Sequence, residues 1–270
     1  MALYYLYRIS DKGNTAGKLP HATKLHCFKN FIEHFGMQNL LVFADNCLNE
    51  TLKGMKDLGA EVTVLDNLGN AGSFQYILDY AINNLKEDDQ VYLIEDDYLH
   101  LPNSRQILLE GLQIADYVTL YDHSDKYVSF KVDGNNHYIE DNGEETKVLL
   151  TPSSHWKVTN STTMTFAAKV KTLKEDYAVW SFFKTQDYLA FQKLAGYPLK
   201  LEKDIKVIKN KIRYLPLKGF KKFKESIRVA RRHFNYKYHP NKRKLIVCIP
   251  GKSTHVQIDH LSPLTNWDQV

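Results

Sequence analysis

Four short apolar runs, separated by segments of a different period, restrict this chain more than any other feature. Residues 3–10, 40–44, 61–65 and 90–94 have the length and the β-branched and aromatic content of strands. Between them, residues 24–35 place Leu25, Phe28, Phe31, Ile32 and Phe35 at helical spacing. A second helix is expected from about residue 49, stopped by Gly59, and a third over residues 74–85. Strands alternating with helices in this way are the grammar of a parallel sheet with right-handed crossovers. The expected class is α/β, a doubly wound, mostly parallel sheet flanked by helices. No internal repeat is apparent.

The fourth run, Val91-Tyr92-Leu93-Ile94, stops at Glu95-Asp96-Asp97. Its apolar part reads as a strand buried on both faces. The carboxyl ends of strands in an open α/β sheet face the ligand crevice, so the three acids should stand there. Adjacent carboxylates repel one another, and a hard divalent cation, Mn²⁺ or Mg²⁺, relieves that repulsion. For an isolated Glu-Asp-Asp, a solvated acidic turn is the plainer alternative, so the neighbouring strand ends matter. Strand 1 runs out in Arg8-Ile9-Ser10-Asp11 and strand 2 in Asp45-Asn46. At one crevice these suit a nucleotide: Arg8 for stacking or phosphate, Asp45 for base or ribose, with Ser10 beside them. A surface ion pair of Arg8 with a nearby acid is the bland alternative. Gly69-Asn70-Ala71-Gly72-Ser73 follows strand 3. Its glycines allow close backbone approach, and the helix beyond offers free N–H groups to a phosphate or sugar hydroxyl. Asn70, Gly72 and Ser73 are therefore candidate contacts, unless the segment is only a tight turn with Ser73 as the helix cap. The absence of GxxxxGK[ST] argues against a P-loop NTPase.

Beyond residue 100 a helix is expected over 108–115 and a strand over 117–121 that ends at Asp122-His123. A polar flap over 131–145 and a Thr-rich β segment over 156–168 follow. Residues 177–194 have helical periodicity, with Asp187 inside the helix or at its start. A last strand over 245–249 leads to Pro250-Gly251-Lys252-Ser253-Thr254-His255. The formal net charge of +5 conceals a split: residues 200–244 hold 17 Lys or Arg against three acids, +14 against −9 for the remainder. Phe220, Phe223, Ile227 and Ala230 share a face, which makes 218–232 a candidate basic amphipathic helix. An anionic membrane surface or a lipid-diphosphate-linked glycan fits that charge, as does a solvated helix covering the sheet. Nucleic acid is not expected, because no recognition motif accompanies the charge. Cys27, Cys47 and Cys248 are odd in number and lack metal spacing, so they read as reduced thiols of a cytosolic protein. No apolar run is long enough to span a bilayer, and residues 1–9 lack the basic flank and cleavage site of a signal. The expected location is cytoplasmic, with peripheral attachment to the inner membrane face as an option.

The element order and the Val91-Tyr92-Leu93-Ile94-Glu95-Asp96-Asp97 segment resemble the GT-A class of nucleotide-sugar-dependent glycosyltransferases, whose metal motif follows the fourth strand. The Glu-Asp-Asp form is similar to that of N-acetylglucosaminyltransferases acting on N-glycans. The resemblance implies a GT-A-like fold in which Asp97 binds the metal, Mn²⁺ or Mg²⁺, supported by Glu95 and Asp96. It also implies a C-terminal His returning to the metal, His255 ahead of His260. The donor would be a nucleotide-sugar, a UDP-sugar foremost, and the acceptor a saccharide or lipid-linked glycan. An inverting reaction needs a carboxylate to take the acceptor's proton. Asp187 matches the position of that base, with Asp122 second. No Gln-X-X-Arg-Trp motif of processive synthases is present, which favours single transfers. The implied organisation is a catalytic domain over 1–199, with a nucleotide-sugar half over 1–100 and an acceptor half over 101–199. A basic helical C-terminal appendage over 200–244 follows, then a strand and loop over 245–270 that return to the site. The alternatives are a sugar-nucleotide pyrophosphorylase, whose signature after strand 1 is not convincingly matched by residues 11–20, and a non-catalytic glycan- or nucleotide-binding protein on the same scaffold.

Overall fold

A computed structural model describes residues 1–13, 16–132, 134, 136, 138–197 and 242–270. The candidate amphipathic helix over 218–232, and nearly all of the basic appendage, lie outside the described residues. The first half is the expected alternation: β1 (Leu3–Ile9), α1 (Lys24–Phe35), β2 (Leu40–Asp45), α2 (Asn49–Asp57), β3 (Val62–Leu65), α3 (Gly69–Asn84) and β4 (Gln90–Glu95). The second half begins with β5 (Tyr98–His100), α4 (Ser104–Gly111), β6 (Tyr117–Thr119), β7 (Val148–Leu150), β8 (His155–Val158) and β9 (Phe166–Lys169). Three short helices follow, α5 (Val170–Glu175), α6 (Tyr177–Phe183) and α7 (Asp187–Leu194), and then β10 (Leu245–Ile249) and β11 (Ser253–His255).

Nine strands form one sheet in the order β3-β2-β1-β4-β9-β6-β10-β8-β7. Only β8 and β9 oppose the common direction, so the sheet is mostly parallel, flanked by helices on both faces. β1 has β2 on one side and β4 on the other. The chain order therefore reverses between β1 and β4, and the loops after these two strands part to leave a crevice.

The pleat decides what each strand presents to that crevice, because successive side chains face opposite ways. On β1, Tyr5, Tyr7 and Ile9 pack with Phe28, Phe31 and Phe35 of α1, while Leu6 packs with Phe74, Ile77 and Leu78 of α3. On β4, Tyr92 and Ile94 belong to the α1 side and Val91 and Leu93 to the α3 side. Continuing the alternation puts Arg8 and Glu95 on the α3 side and Asp96 on the α1 side.

The structure departs from the sequence reading in five places. β5 was not foreseen; it pairs with β11 as a separate two-stranded ribbon. α3 starts at Gly69, not after Ser73, and α4 covers 104–111 in place of 108–115. The helical region 177–194 is two helices, because Lys184 takes a left-handed φ of 52° between α6 and α7. The Thr-rich stretch is two strands, β8 and β9, with residues 159–165 between them.

Gly111, at the end of α4, tests how tightly that helix sits on the sheet. A Cβ there would stand 2.7 Å from Trp156 Cη2 and 2.7 Å from Val118 Cγ1. Alanine gains roughly 0.5–1 kcal/mol of helix propensity over glycine, but overpacking a core costs about 1–3 kcal/mol. Gly111→Ala should therefore lower the urea midpoint, whereas a propensity-dominated site would raise it.

Candidate functional site

The crevice, about 470 Å³, is built from the carboxyl ends of the first four strands and the start of α3. Arg8 anchors it. Its guanidinium is 7% exposed. It donates to Glu95 Oε1 at 2.5 Å, to the Asn70 carbonyl at 2.7 Å, to the Asn70 side chain and to Ser73 Oγ at 3.2 Å. Arg8 and Glu95 are lateral neighbours in the parallel pairing of β1 with β4. Asp45, at the end of β2, accepts from the N–H groups of Leu68 and Gly69 at 2.8 and 2.7 Å and from Asn46 Nδ2 at 2.8 Å. Gly69 takes a φ of 70°, a conformation suited to glycine. Asp45 thereby caps α3 from a distant strand, so part of the helix N-terminus expected to meet a ligand is already engaged. Gly72 sits within the first turn of α3 and lines no part of the crevice wall.

The three consecutive carboxylates diverge. Glu95 meets Arg8 on the α3 side. Asp96 turns to the α1 side, where its Oδ2 accepts from Lys24 Nζ at 2.7 Å and from the Ser10 N–H at 2.7 Å. Asp97, in the turn before β5, has Lys18 Nζ at 2.7 Å and His255 Nε2 at 3.0 Å on one oxygen. Its other oxygen, Oδ1, is buried without a hydrogen-bond partner among the described residues. Burial alone would raise the Asp97 carboxyl, but the His255 bond and the charges of His255 and Lys18 hold it well below the ordinary range. Burial works against charge on His255, and Asp97 and Glu95 outweigh it, so the imidazole gains proton affinity. Asp96 and Glu95 move the other way: burial and the Asp97 charge raise both, against Lys24 and Arg8. The chain thus relieves the carboxylate repulsion with its own cations, a role the sequence reading gave to a metal. Among the described residues, no three His, Cys, Asp or Glu side chains converge as a ready metal cage.

Across the sheet, Asp187 opens α7 and accepts from the Tyr188 N–H at 2.6 Å. It feels the charges of His123 and Asp125, and Glu95 in turn feels Asp187. Burial pushes the Asp187 carboxyl up to about 6. Asp122 has a different fate. It is 2% exposed, with Lys157 Nζ at 2.9 Å and the Tyr127 hydroxyl donating at 2.6 Å, so it sits inside a buried ion pair away from the crevice. His260 packs its ring 5.1 Å from that of His123 and contacts neither Asp97 nor its turn. Burial and the charges of His123 and His255 lower its proton affinity.

Lys18 and Lys24 were not foreseen as site residues. Lys24 was discoverable, since the first turn of the helix after β1 must open at the carboxyl end of the sheet. Lys18 carries no such signal, because its position depends on a bridge between Lys18 and Gln257 that joins the loop to the C-terminal segment.

No family model matches the chain, and no curated protein matches it either. Solved structures of similar backbone include one described as a mannose-1-phosphate geranyltransferase from Thermus thermophilus. It is 10% identical over 92% of this chain and 74% of that one, with a TM-score of 0.43. A Bacillus anthracis protein named for glucose-1-phosphate thymidylyltransferase activity is 10% identical over 71% and 81%, with a TM-score of 0.42. A 4-diphosphocytidyl-2C-methyl-D-erythritol synthase is 13% identical over 72% and 85%, with a TM-score of 0.40. Values this low describe the path of the backbone and say nothing of chemistry.

The Asp45 cap predicts a measurable cost. Asp45→Ala should lose about 1–2 kcal/mol, the usual scale for a helix N-terminal side-chain cap, and Asp45→Asn should lose less because one acceptor oxygen remains. Equal urea midpoints for the parent and Asp45→Ala would mean that α3 does not depend on this cap.

Proposed function

We propose that the chain is a nucleotide-sugar-dependent glycosyltransferase that uses a divalent cation at Asp97 and Asp187 as general base. Asp187 carries the reading. Its carboxyl is raised to about 6 by burial and lies within electrostatic reach of Glu95 at the crevice edge. A hydroxyl acceptor must lose a proton as its oxygen attacks the anomeric carbon, and a base of that strength is well matched to the task near neutrality. In pyrophosphorylase chemistry the attacking group is a phosphate oxygen that is already anionic, so a poised carboxylate has no task there. One feature favours that second reading: Arg8 and Lys12 line the crevice, and Lys18 and Lys24 line the cavity that adjoins it at Asp96 and Asp97, a charge suited to a triphosphate.

Asp97 and His255 fit a Mn²⁺ or Mg²⁺ bound with a nucleotide. Such ions often take only one or two protein ligands and complete their shell with phosphates and water. The orphaned Asp97 Oδ1 and the oxygen shared by Lys18 and His255 supply the donor set. When bound, the cation supplies charge for the departing diphosphate. Lys18, exchanged off Asp97, is then available to the phosphates. Glu95 stays fixed by Arg8, and Asp187 holds the acceptor proton. The donor is a nucleotide-sugar, with a UDP-sugar as the first to test, and the acceptor a saccharide or lipid-linked glycan. Among the described residues, no helix is long and apolar enough to cross a membrane.

Three measurements test this. With Mn²⁺ and a nucleotide-sugar, the protein should release nucleoside diphosphate and sugar, and with nucleoside triphosphate and sugar 1-phosphate it should release no pyrophosphate. The reverse pattern would establish the second reading. Asp97→Asn should abolish the Mn²⁺-dependent thermal stabilisation by nucleoside diphosphate while the metal-free melting curve survives. With Mn²⁺ saturating, so that His255 protonation does not limit metal binding, turnover should be constant above about pH 6 and fall about tenfold per unit below it, because Asp187 must be unprotonated to accept a proton. Asp187→Asn should lose roughly 10²-fold or more and abolish that acid limb, with donor binding retained.

A further inference from the structure

A cavity of about 660 Å³ lies at the opposite pole of the sheet, at the amino ends of β1 and β4. Its walls are Leu3, Tyr5, Phe35, Met37 and Leu109, from β1, the end of α1 and α4. Two polar groups in it are unspent. Gln90, the first residue of β4, is 1% exposed, and its side-chain amide nitrogen is buried with no hydrogen-bond partner among the described residues. Arg105, on the exposed side of α4, is fixed by a 3.0 Å bond from its Nε to the Tyr5 hydroxyl. Its two terminal nitrogens make no hydrogen bond or ion pair among the described residues.

These observations are unusual together. A buried amide donor without a partner is costly to the fold, and apolar replacement of the same shape would be neutral or better. An anchored guanidinium presents a planar pair of donors that matches an oxyanion bidentately. The acid beside Gln90 in the chain, Asp89, is engaged with the Ala2 N–H at 2.8 Å, and it lines no part of the cavity. We propose that this cavity is a binding site for a small oxyanion, a carboxylate or a phosphate, held by the Arg105 guanidinium and the Gln90 amide, with its body against Leu3, Phe35 and Leu109. The site is independent of the crevice and of the function proposed for it.

The experiment is a titration of the isotope-labelled full chain with hexanoate and, separately, with inorganic phosphate, followed by amide and side-chain NMR shifts. Saturable shifts at Leu3, Tyr5, Gly36 and the Gln90 side-chain amide are expected with at least one of the two anions. Hexanoate alone would assign a carboxylate on an apolar body; phosphate alone, or both equally, would assign a bare oxyanion site. Arg105→Gln should weaken that binding about tenfold or more, the loss expected when a charge-assisted pair becomes neutral. Gln90→Leu should also weaken binding yet raise the melting temperature of the free protein, a pairing that a purely structural Gln90 would not give. Absence of saturable shifts with both anions would overturn the proposal, as would unchanged affinity in both variants.

Discussion

The pairing of Arg8 with Glu95 is the constraint on which the rest of the site depends. The two residues are register partners on adjacent parallel strands, at the point where the chain order of the sheet reverses. Burying two charges is expensive unless the remaining donors and acceptors are also satisfied. Here Asn70 and Ser73 take the other guanidinium nitrogen, so one cation ties β1, β4 and the first turn of α3 together. Once Glu95 is fixed on the α3 side, the pleat sends Asp96 to the α1 side and leaves Asp97 to the turn. Three acids adjacent in sequence are thereby separated into three environments, each with its own counter-charge.

Completion of the site comes from the far end of the chain. β10 inserts between β6 and β8, and β11 pairs antiparallel with β5 so that His255 stands opposite Tyr98. That register is what brings the imidazole to Asp97, the residue just before Tyr98. The approach to β10 is held by Arg243, which donates from Nε at 2.8 Å and Nη2 at 3.0 Å to the fully buried Asp176. Tyr117 of β6 donates to the same carboxylate at 2.7 Å. The return of the last strands is therefore fixed by a bidentate pair on a buried carboxylate.

Much of this was legible in the sequence where a periodic signal ran long enough. Residues 24–35 give α1 at its observed bounds, since five apolar side chains mark one face over three turns. β4 and its acidic terminus, and Asp187 at a helix start, were also readable. What escaped was short or set from a distance. β5 and β11 have three residues each, too few to display alternation. The early start of α3 depends on Asp45, more than twenty residues upstream, and no local pattern reports that cap. Asp122 resembled Asp187 as an acid at an element boundary, and only Lys157 of β8 and Tyr127 of the turn just after Asp122 separate them. The counter-ions of Asp96 and Asp97 are likewise products of tertiary placement.

Those counter-ions bear on how the proposed metal and donor would cooperate. In the free protein Lys18 and His255 share one oxygen of Asp97, so that carboxylate already has a counter-charge. A divalent cation held at Asp97 alone would have to displace the Lys18 ammonium, so one favourable pairing would replace another. A diphosphate entering alone meets Glu95, Asp96 and Asp97 with their cations occupied. With both present, Asp97 would hold the cation and the Lys18 ammonium would pair with the phosphates, so the lysine charge would keep a partner. Coupling of this kind is reciprocal by thermodynamic necessity. On the proposed function, the lysines would have a task that a simple cage of acids would lack: they supply the counter-charge of Asp96 and Asp97 in the free protein.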